Sequence, residues 1–338
     1  MADRAKLKEI TSLSSFGILL VVFGHSYCDL KVQGGPFLHF LYFLRFYIYS
    51  FHMPLFMFIS GYLFCYTTRS RAGIPYPDFV WKKIKRLLVP YFMLTAIAFP
   101  EKVLLAKYAW RHTTFDFNLF AHGLIYPLSN INFFFWFLPT LFIIFLAAPA
   151  MRAALRSRRS ALLAALITLG LAALNVFNPL ADVQLLNLAG VARYFIYFWL
   201  GCLFVIYKPR EMSGPAKAAA FVVFFGALTA LNVIGIENNY MVLAAAVCGI
   251  FAAFFFINIY INWNFDIFGP INGFSYQIYL LSWFFQTVSR ISIYQILKLG
   301  FYPTFAAMFI TGLIGPVLVA KFVKRYTPKL GFIIGMNS

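Results

Sequence analysis

Residues 10–30 read ITSLSSFGILLVVFGHSYCDL, a membrane-length apolar segment with a histidine, His25, near one end. The apolar run is too long for the core of a signal peptide, and no A-x-A cleavage site follows it, so it predicts a retained first transmembrane helix. Because an ionisable side chain inside a bilayer-spanning helix is costly, such a side chain usually has a function. His25 is therefore the first candidate for chemistry.

The rest of the chain shares the apolar character of this segment. Its 338 residues are 62% hydrophobic and 20% aromatic, with a mean hydropathy of +0.80, which excludes a soluble globular domain. A span needs about 20 apolar residues, so the length allows about ten spans. The segments are continuously apolar without alternation, so they predict an all-α polytopic membrane protein rather than a barrel. The predicted spans lie near residues 12–29, 41–65, 87–105, 131–150, 160–177, 188–207, 217–235, 240–262, 271–293 and 303–322.

The charge of the chain fits the same architecture. A net charge of +18 would suggest nucleic acid in a soluble protein. Here the charges sit in short connections between spans, so the positive-inside rule is the simpler explanation and no nucleic-acid partner is expected. With the N-terminus in the cytoplasm, most of the lysines and arginines fall on the cytoplasmic side, and the C-terminus lies there too. The opposite side holds Lys31, Lys102, Lys107, Arg111 and Lys298.

No part of the sequence predicts a second domain. There is no long hydrophilic stretch, so residues 1–338 are expected to form a single membrane-embedded domain without a fused soluble domain. The four cysteines show no paired spacing, so neither a disulfide framework nor a metal site is predicted.

His25 has a carboxylate neighbour one helical turn away. Asp29 follows at i+4, so the two side chains share a helix face. A carboxylate there could orient the imidazole and stabilise its protonated form, as general-base catalysis requires. Alternatively, His25 bonds a neighbouring helix or interfacial water, and Asp29 only marks the outer end of the helix.

A second histidine lies beside a proline in the segment YSFHMPLFMFISGY, residues 49–62. Pro54 removes a backbone donor in mid-span and should kink the helix. His52 lies within a turn of this kink, where freed carbonyls and water could form a polar cavity shared with His25. Ser60 and Gly61 would let another helix approach closely. The alternative is ordinary proline-kinked packing, with His52 as a helix–helix hydrogen bonder.

A basic run, WKKIKRLLVPY at residues 81–91, lies at the cytoplasmic mouth of a span. Lys82 and Lys85, like Lys83 and Arg86, are three residues apart and share a helix face. Such pairs could hold the phosphates of a cytosolic donor. Basic runs beside a membrane also set topology and contact lipid headgroups. The run is therefore either a donor site or only a topology signal.

Three arginines lie within or at the ends of spans: Arg45, Arg193 and Arg290. Buried arginines can line the path of a polar acceptor or an anion, and they can also snorkel to the interface.

Five segments together resemble the acyltransferase 3 family of integral membrane acyltransferases. The likeness is greatest to its branch of fucose 4-O-acetylase-like and intercellular-adhesin-type O-acetyltransferases. The segments are GILLVVFGHS at 17–26, SFHMPLFMFISGY at 50–62, RLLVPY at 86–91, WFLPTL at 136–141 and, more faintly, SYQIYLLSW at 275–283.

The resemblance implies an acyl-CoA donor, most simply acetyl-CoA, and transfer to a sugar hydroxyl at or beyond the membrane. It implies a protein of the bacterial cytoplasmic (inner) membrane. The lipid bilayer, a glycan or lipid-linked sugar acceptor and polysaccharide-synthesis proteins are its implied partners. The predicted site is His25, Asp29 and His52 for catalysis, Lys82, Lys83, Lys85 and Arg86 for the donor, and Arg45, Arg193 and Arg290 for the acceptor, with no metal.

Two other functions remain open on the sequence. A polytopic protein with polar groups at its midplane can also be a transporter or flippase for a glycan or a lipid-linked sugar. No inverted repeat and no buried carboxylates for ion coupling are visible, which disfavours transport. The third reading is an inactive partner in a polysaccharide-synthesis complex. It rests on Ser14, which stands where many members have a basic residue. A second departure is Ser282, which stands where many members have a histidine.

Overall fold

A computed structural model describes residues 2–27, 35–68, 75–108, 116–154, 160–207, 212–263 and 265–336. Every regular element in these ranges is helical, which confirms the predicted all-α class. The helices are α1 Ala2–His25, α2 Pro36–Tyr49, α3 His52–Thr68, α4 Tyr76–Lys83, α5 Val89–Leu104, α6 Phe117–Ile125, α7 Phe137–Ala154, α8 Ser160–Phe177, α9 Leu188–Tyr207, α10 Gly214–Ile234, α11 Asn239–Tyr260, α12 Ser275–Ser289 and α13 Phe301–Tyr326.

Seven helical stretches of the described chain are long and apolar enough to cross a membrane. They coincide with seven of the ten predicted spans and confirm a polytopic membrane protein. These stretches are Pro36–Thr68, Tyr76–Leu104, Phe133–Met151, Leu185–Tyr207, Gly214–Ile234, Asn239–Tyr260 and Phe301–Tyr326.

The other three predicted spans are also helical, but they are shorter or more polar. The prediction at 12–29 falls in α1, whose first two turns carry several charged residues. The prediction at 160–177 matches α8, which is apolar and 18 residues long. The prediction at 271–293 matches α12, which continues into a π-helix at Arg290–Ile296.

The second predicted span is interrupted before its proline. Helix α2 ends at Tyr49 and α3 begins at His52, so Pro54 lies in the first turn of α3 rather than in the middle of a continuous helix. Proline is tolerated there because the first backbone N–H groups of a helix have no intrahelical partner. The predicted kink therefore takes the form of a break at residues 50 and 51.

The chain divides into two compact units. The first comprises 1–71, 157–177 and 194–275, and the second comprises 72–156, 178–193 and 276–338.

Two glycines bring α3 and α9 together in the first unit. A Cβ on Gly61 would collide with the Phe198 carbonyl, and a Cβ on Gly201 would collide with the Phe58 carbonyl. The Cys202 thiol also donates to the Gly61 carbonyl, at 3.3 Å. The structure thus confirms that Gly61 permits a close helix approach, as small residues do in membrane interfaces.

The second unit is organised around α5. The helix continues through Pro100 to Leu104, and a π-helix at Ile84–Leu88 precedes it. Beside it, the Asn130 amide donates to the Tyr91 hydroxyl at 3.1 Å and to the Thr95 hydroxyl at 3.3 Å. These bonds connect α5 to the chain that leads into α7.

Candidate active site

His25 is the last residue of α1, and its ring is fixed by its own helix. Its Nδ1 lies 2.8 Å from the Val21 carbonyl oxygen, one turn earlier. Because a carbonyl only accepts, Nδ1 must carry the hydrogen. In the neutral ring the basic lone pair is then on Nε2, which is the arrangement that a general base needs.

His52 is the first residue of α3 and repeats this arrangement. Its Nδ1 lies 3.0 Å from the Ile48 carbonyl oxygen, again four residues earlier. Ile48 belongs to the last turn of α2, where carbonyls lose their intrahelical donors. The ring therefore bonds across the break, from α3 to the end of α2 within the same predicted span, and it is 5% exposed.

Tyr49 brings the two histidines together. Its ring centroid lies 6.1 Å from that of His25 and 4.8 Å from that of His52. The Tyr49 hydroxyl donates to the Gly24 carbonyl at 3.0 Å. Gly24 makes this contact possible, because a Cβ at that position would collide with the Tyr49 ring.

Arg45 completes what we call the histidine cluster: His25, Arg45, Tyr49 and His52. Its Cζ lies 5.2 Å from the Tyr49 ring centroid and 5.5 Å from that of Tyr27, both within range of a cation–π interaction. It also interacts electrostatically with His25. The cluster thus combines two imidazoles, a phenol and a guanidinium, which together can accept protons and donate hydrogen bonds.

The remaining predicted catalytic and acceptor residues are not in this cluster as described. Asp29 lies outside the described residues. Arg193 is exposed on α9. Arg290 belongs to the second unit, where one of its guanidinium nitrogens donates to the Tyr108 carbonyl at 3.3 Å.

The four basic donor candidates have two different environments in the second unit. Lys83 is half-buried, with Nζ 3.4 Å from the Phe145 ring centroid. Lys82, Lys85 and Arg86 are exposed. The π-helix at Ile84–Leu88 inserts extra backbone among them, so the simple three-residue spacing does not decide which side chains share a face.

An apolar cavity of about 400 Å³ also lies in the first unit. Helix α1 lines it with Phe16, Leu19, Leu20 and Phe23. His25 is nine positions beyond Phe16, which at 3.6 residues per turn places it on the opposite side of the helix. This cavity is therefore separate from the histidine cluster, and a polar cavity shared by the two histidines remains a prediction.

Sequence reasoning did not single out Tyr49 or Gly24. Both were within reach, since Gly24 directly precedes His25 and Tyr49 opens the YSFHMP segment. The sequence does not show how α1 packs against the α2–α3 junction, and it is this packing that places the Tyr49 ring beside both imidazoles.

One comparison with known proteins identifies the family. The acyltransferase 3 family model, described as an acyltransferase domain, matches residues 9–321, which is nearly the whole chain. No curated protein and no solved structure matches significantly. The match includes both histidines and the basic run of the fourth and fifth helices. The chain therefore belongs to the acyltransferase 3 family and is a membrane acyltransferase.

Proposed function

We propose that the protein transfers an acetyl group from cytoplasmic acetyl-CoA to a sugar hydroxyl of a surface or exported glycan, in the manner of the fucose 4-O-acetylase-like branch. The observation that carries the proposal is the orientation of His25. Its Nδ1–H is engaged by the Val21 carbonyl at 2.8 Å, so the basic nitrogen of the neutral ring is Nε2. A hydroxyl needs such a base to become a nucleophile.

The proposed step is direct. Nε2 of His25 takes the proton of the acceptor hydroxyl while the hydroxyl oxygen attacks the thioester carbonyl carbon. The carbon–sulfur bond breaks, and the CoA sulfur leaves with the proton held by the imidazolium. The products are the O-acyl sugar and free CoA, and the imidazole returns to its neutral form.

The other clusters have supporting roles in this proposal. Arg45 carries guanidinium donors and orients the polar acceptor beside His25. The exposed Lys82, Lys85 and Arg86, together with Lys83, bind the phosphates of the donor, for which Arg and Lys are the preferred partners.

The function is tested on the glycan itself. Surface glycans from cells with and without the protein are compared by mass spectrometry. The proposal predicts the loss of one acetyl mass per modified sugar, with the amount of surface glycan unchanged. If instead the exported glycan falls in amount and keeps its acetyl content, the protein moves glycan rather than modifying it, and the proposal is wrong.

A further inference from the structure

A polar cluster in the second unit contains Arg290, which the sequence predicts to bind the acceptor, and four other residues that have no role in the function proposed so far. We call Glu101, Lys102, Asn132, Arg290 and Gln295 the Lys102 cluster. Lys102 donates to the Ile131 carbonyl, and its ammonium is attracted by Glu101 and repelled by Arg290. Arg290 and Gln295 both donate to the Tyr108 carbonyl, at 3.3 and 3.0 Å. The cluster therefore joins the C-terminal end of α5 to the chain after α6 and to the π-helix after α12.

The cluster contains buried hydrogen-bonding groups without partners. Asn132 is 0% exposed, and neither its Oδ1 nor its Nδ2 has a hydrogen-bond partner among the described residues. The same holds, within the described chain, for both carboxylate oxygens of Glu101 and for Oε1 of Gln295. The expectation that the helices bury no carboxylate was therefore wrong at Glu101. Buried polar groups are nearly always satisfied, so a set of unsatisfied ones calls for a ligand or water.

Asn130, two residues earlier, is an amide that serves the fold, and its hydrogen bonds can be compared with those of Asn132. Its Nδ2 donates to Tyr91, to Thr95 and to the Gly123 carbonyl, and its Oδ1 accepts from the Asn132 backbone N–H at 2.8 Å. Asn130 is saturated by the fold, whereas the side chain of Asn132 contributes no bond to it.

The backbone around Asn132 is nevertheless held firmly. The Ile131 carbonyl is bonded by Lys102, and the Phe134 carbonyl accepts from the Tyr279 hydroxyl at 2.7 Å. With the Asn132 N–H also bonded, the chain is fixed on both sides of the side chain. An amide held in place without partners is preorganised to bind something else.

The position of the cluster along α5 separates it from the donor site. Lys83 and Lys102 lie near opposite ends of the stretch Tyr76–Leu104, and their separation corresponds to about 29 Å of helix. This length is close to the hydrocarbon thickness of a bilayer, about 30 Å. With the basic run in the cytoplasm, as the positive-inside rule predicts, the Lys102 cluster lies at the outer face.

We propose that the Lys102 cluster binds a sugar ring of the glycan at the outer face of the membrane. Each sugar hydroxyl both donates and accepts. The carboxylate of Glu101 accepts, the ammonium of Lys102 donates, and the amide of Asn132 does both. A hydrocarbon tail would leave these polar groups without hydrogen-bond partners. A bare phosphate would be repelled by the negative charge of the Glu101 carboxylate. Identifying the sugar with the acetyl acceptor rests on the proposed function.

The test uses the full-length protein in lipid nanodiscs and, as the probe, surface glycan isolated from cells that lack the protein. Asn132→Leu removes the amide at similar volume. We expect glycan binding, measured by calorimetry, to weaken by about tenfold or more, as when one charged or well-placed hydrogen bond is lost. The melting temperature should be unchanged or higher, because the amide bonds nothing in the fold. Asn130→Leu is the matched control, and it should lower the melting temperature.

The outcomes separate this inference from the proposed function. Unchanged glycan binding in Asn132→Leu, or no binding by the unaltered protein, overturns the sugar site. A melting temperature that falls as far as in Asn130→Leu also overturns it, since Asn132 would then serve the fold. If the glycan binds and Asn132→Leu weakens it, but the unaltered protein transfers no labelled acetyl group, the sugar site stands and the acyltransfer proposal fails.

Discussion

At the scale of single residues, both histidines are oriented by the same device. Each is placed at a helix end and each bonds the carbonyl four residues earlier through Nδ1, at 2.8 Å for His25 and 3.0 Å for His52. The fold thus sets the tautomer of each ring locally, independently of the rest of the site.

Gly24 allows a prediction about the geometry of the histidine cluster. In Gly24→Ala, the new Cβ collides with the Tyr49 ring and displaces it from its place beside the two imidazoles. A misplacement on this scale can cost about 10²-fold in rate, so we expect kcat for acetyl transfer to fall by about that factor. The measurement is turnover of labelled acetyl-CoA in nanodiscs. Gly170→Ala, whose Cβ would meet nothing within 4 Å, is the control and should keep full activity.

At this scale the sequence predicted which residues are candidates for the site, but not which side chains surround them. A histidine inside an apolar span identified His25, and the neighbouring proline drew attention to His52. The different surroundings of Lys83 and Arg86 were not visible. They depend on Phe145 of α7, against which Lys83 packs, and on Tyr276 of α12, whose ring lies 5.8 Å from the Arg86 guanidinium. Contacts between distant segments leave no periodic signal in the chain.

At the scale of helices, the crossing of α3 and α9 depends on two glycines. Gly61→Ala and Gly201→Ala each place a methyl group against a backbone carbonyl of the other helix, which cannot move without separating the pair. Overpacking of this kind costs about 1–3 kcal/mol. We expect a lower melting temperature for both variants in detergent, followed by tryptophan fluorescence. Gly226→Ala in α10, with open space around its Cβ, should melt no lower than the unaltered protein; equal melting of all three variants would contradict the close crossing.

The start of α5 carries the prediction about the donor. Arg86 is exposed at the π-helix, so Arg86→Glu should weaken the proposed phosphate contact without disturbing a core. Hydrogen bonds to charged groups contribute about 1.5–3 kcal/mol, so KM for acetyl-CoA should rise by about 10- to 100-fold. KM for the glycan should stay constant. Lys324→Glu, at an exposed basic position in the last turn of α13, is the matched charge control. If both variants change KM for acetyl-CoA equally, the basic run is only a topology signal.

The sequence predicted the long helices better than their ends. Runs of apolar residues identified the seven long spans, because the length and the hydropathy of a helix decide whether it can cross a membrane. The break at residues 50 and 51 and the two π-helices depend on local backbone bonding, and composition says little about that. The proline in the YSFHMP segment indicated that the helix is irregular but not that the break precedes the proline.

At the scale of the whole molecule, the charge distribution predicts which side of the membrane each loop faces. Most of the lysines and arginines lie in loops assigned to the cytoplasm. A green fluorescent protein fused after residue 338 should therefore fluoresce, and alkaline phosphatase inserted in the loop between α10 and α11 should be active. If the fluorescent protein is dark and the phosphatase is inactive, the orientation is the reverse of the predicted one. The proposed sides of the membrane for the donor and the sugar would then also be wrong.

The most direct test of the account is acetyl transfer by the His25→Ala protein. Labelled acetyl-CoA and unmodified glycan are supplied to the full chain in nanodiscs, with His39→Ala as control, since His39 is exposed on α2. Loss of a general base typically costs about 10²–10⁴ in rate, so His25→Ala should lose acetyl transfer by that factor while His39→Ala keeps it. Transfer at the unaltered rate by a correctly inserted His25→Ala protein would contradict the central role of His25.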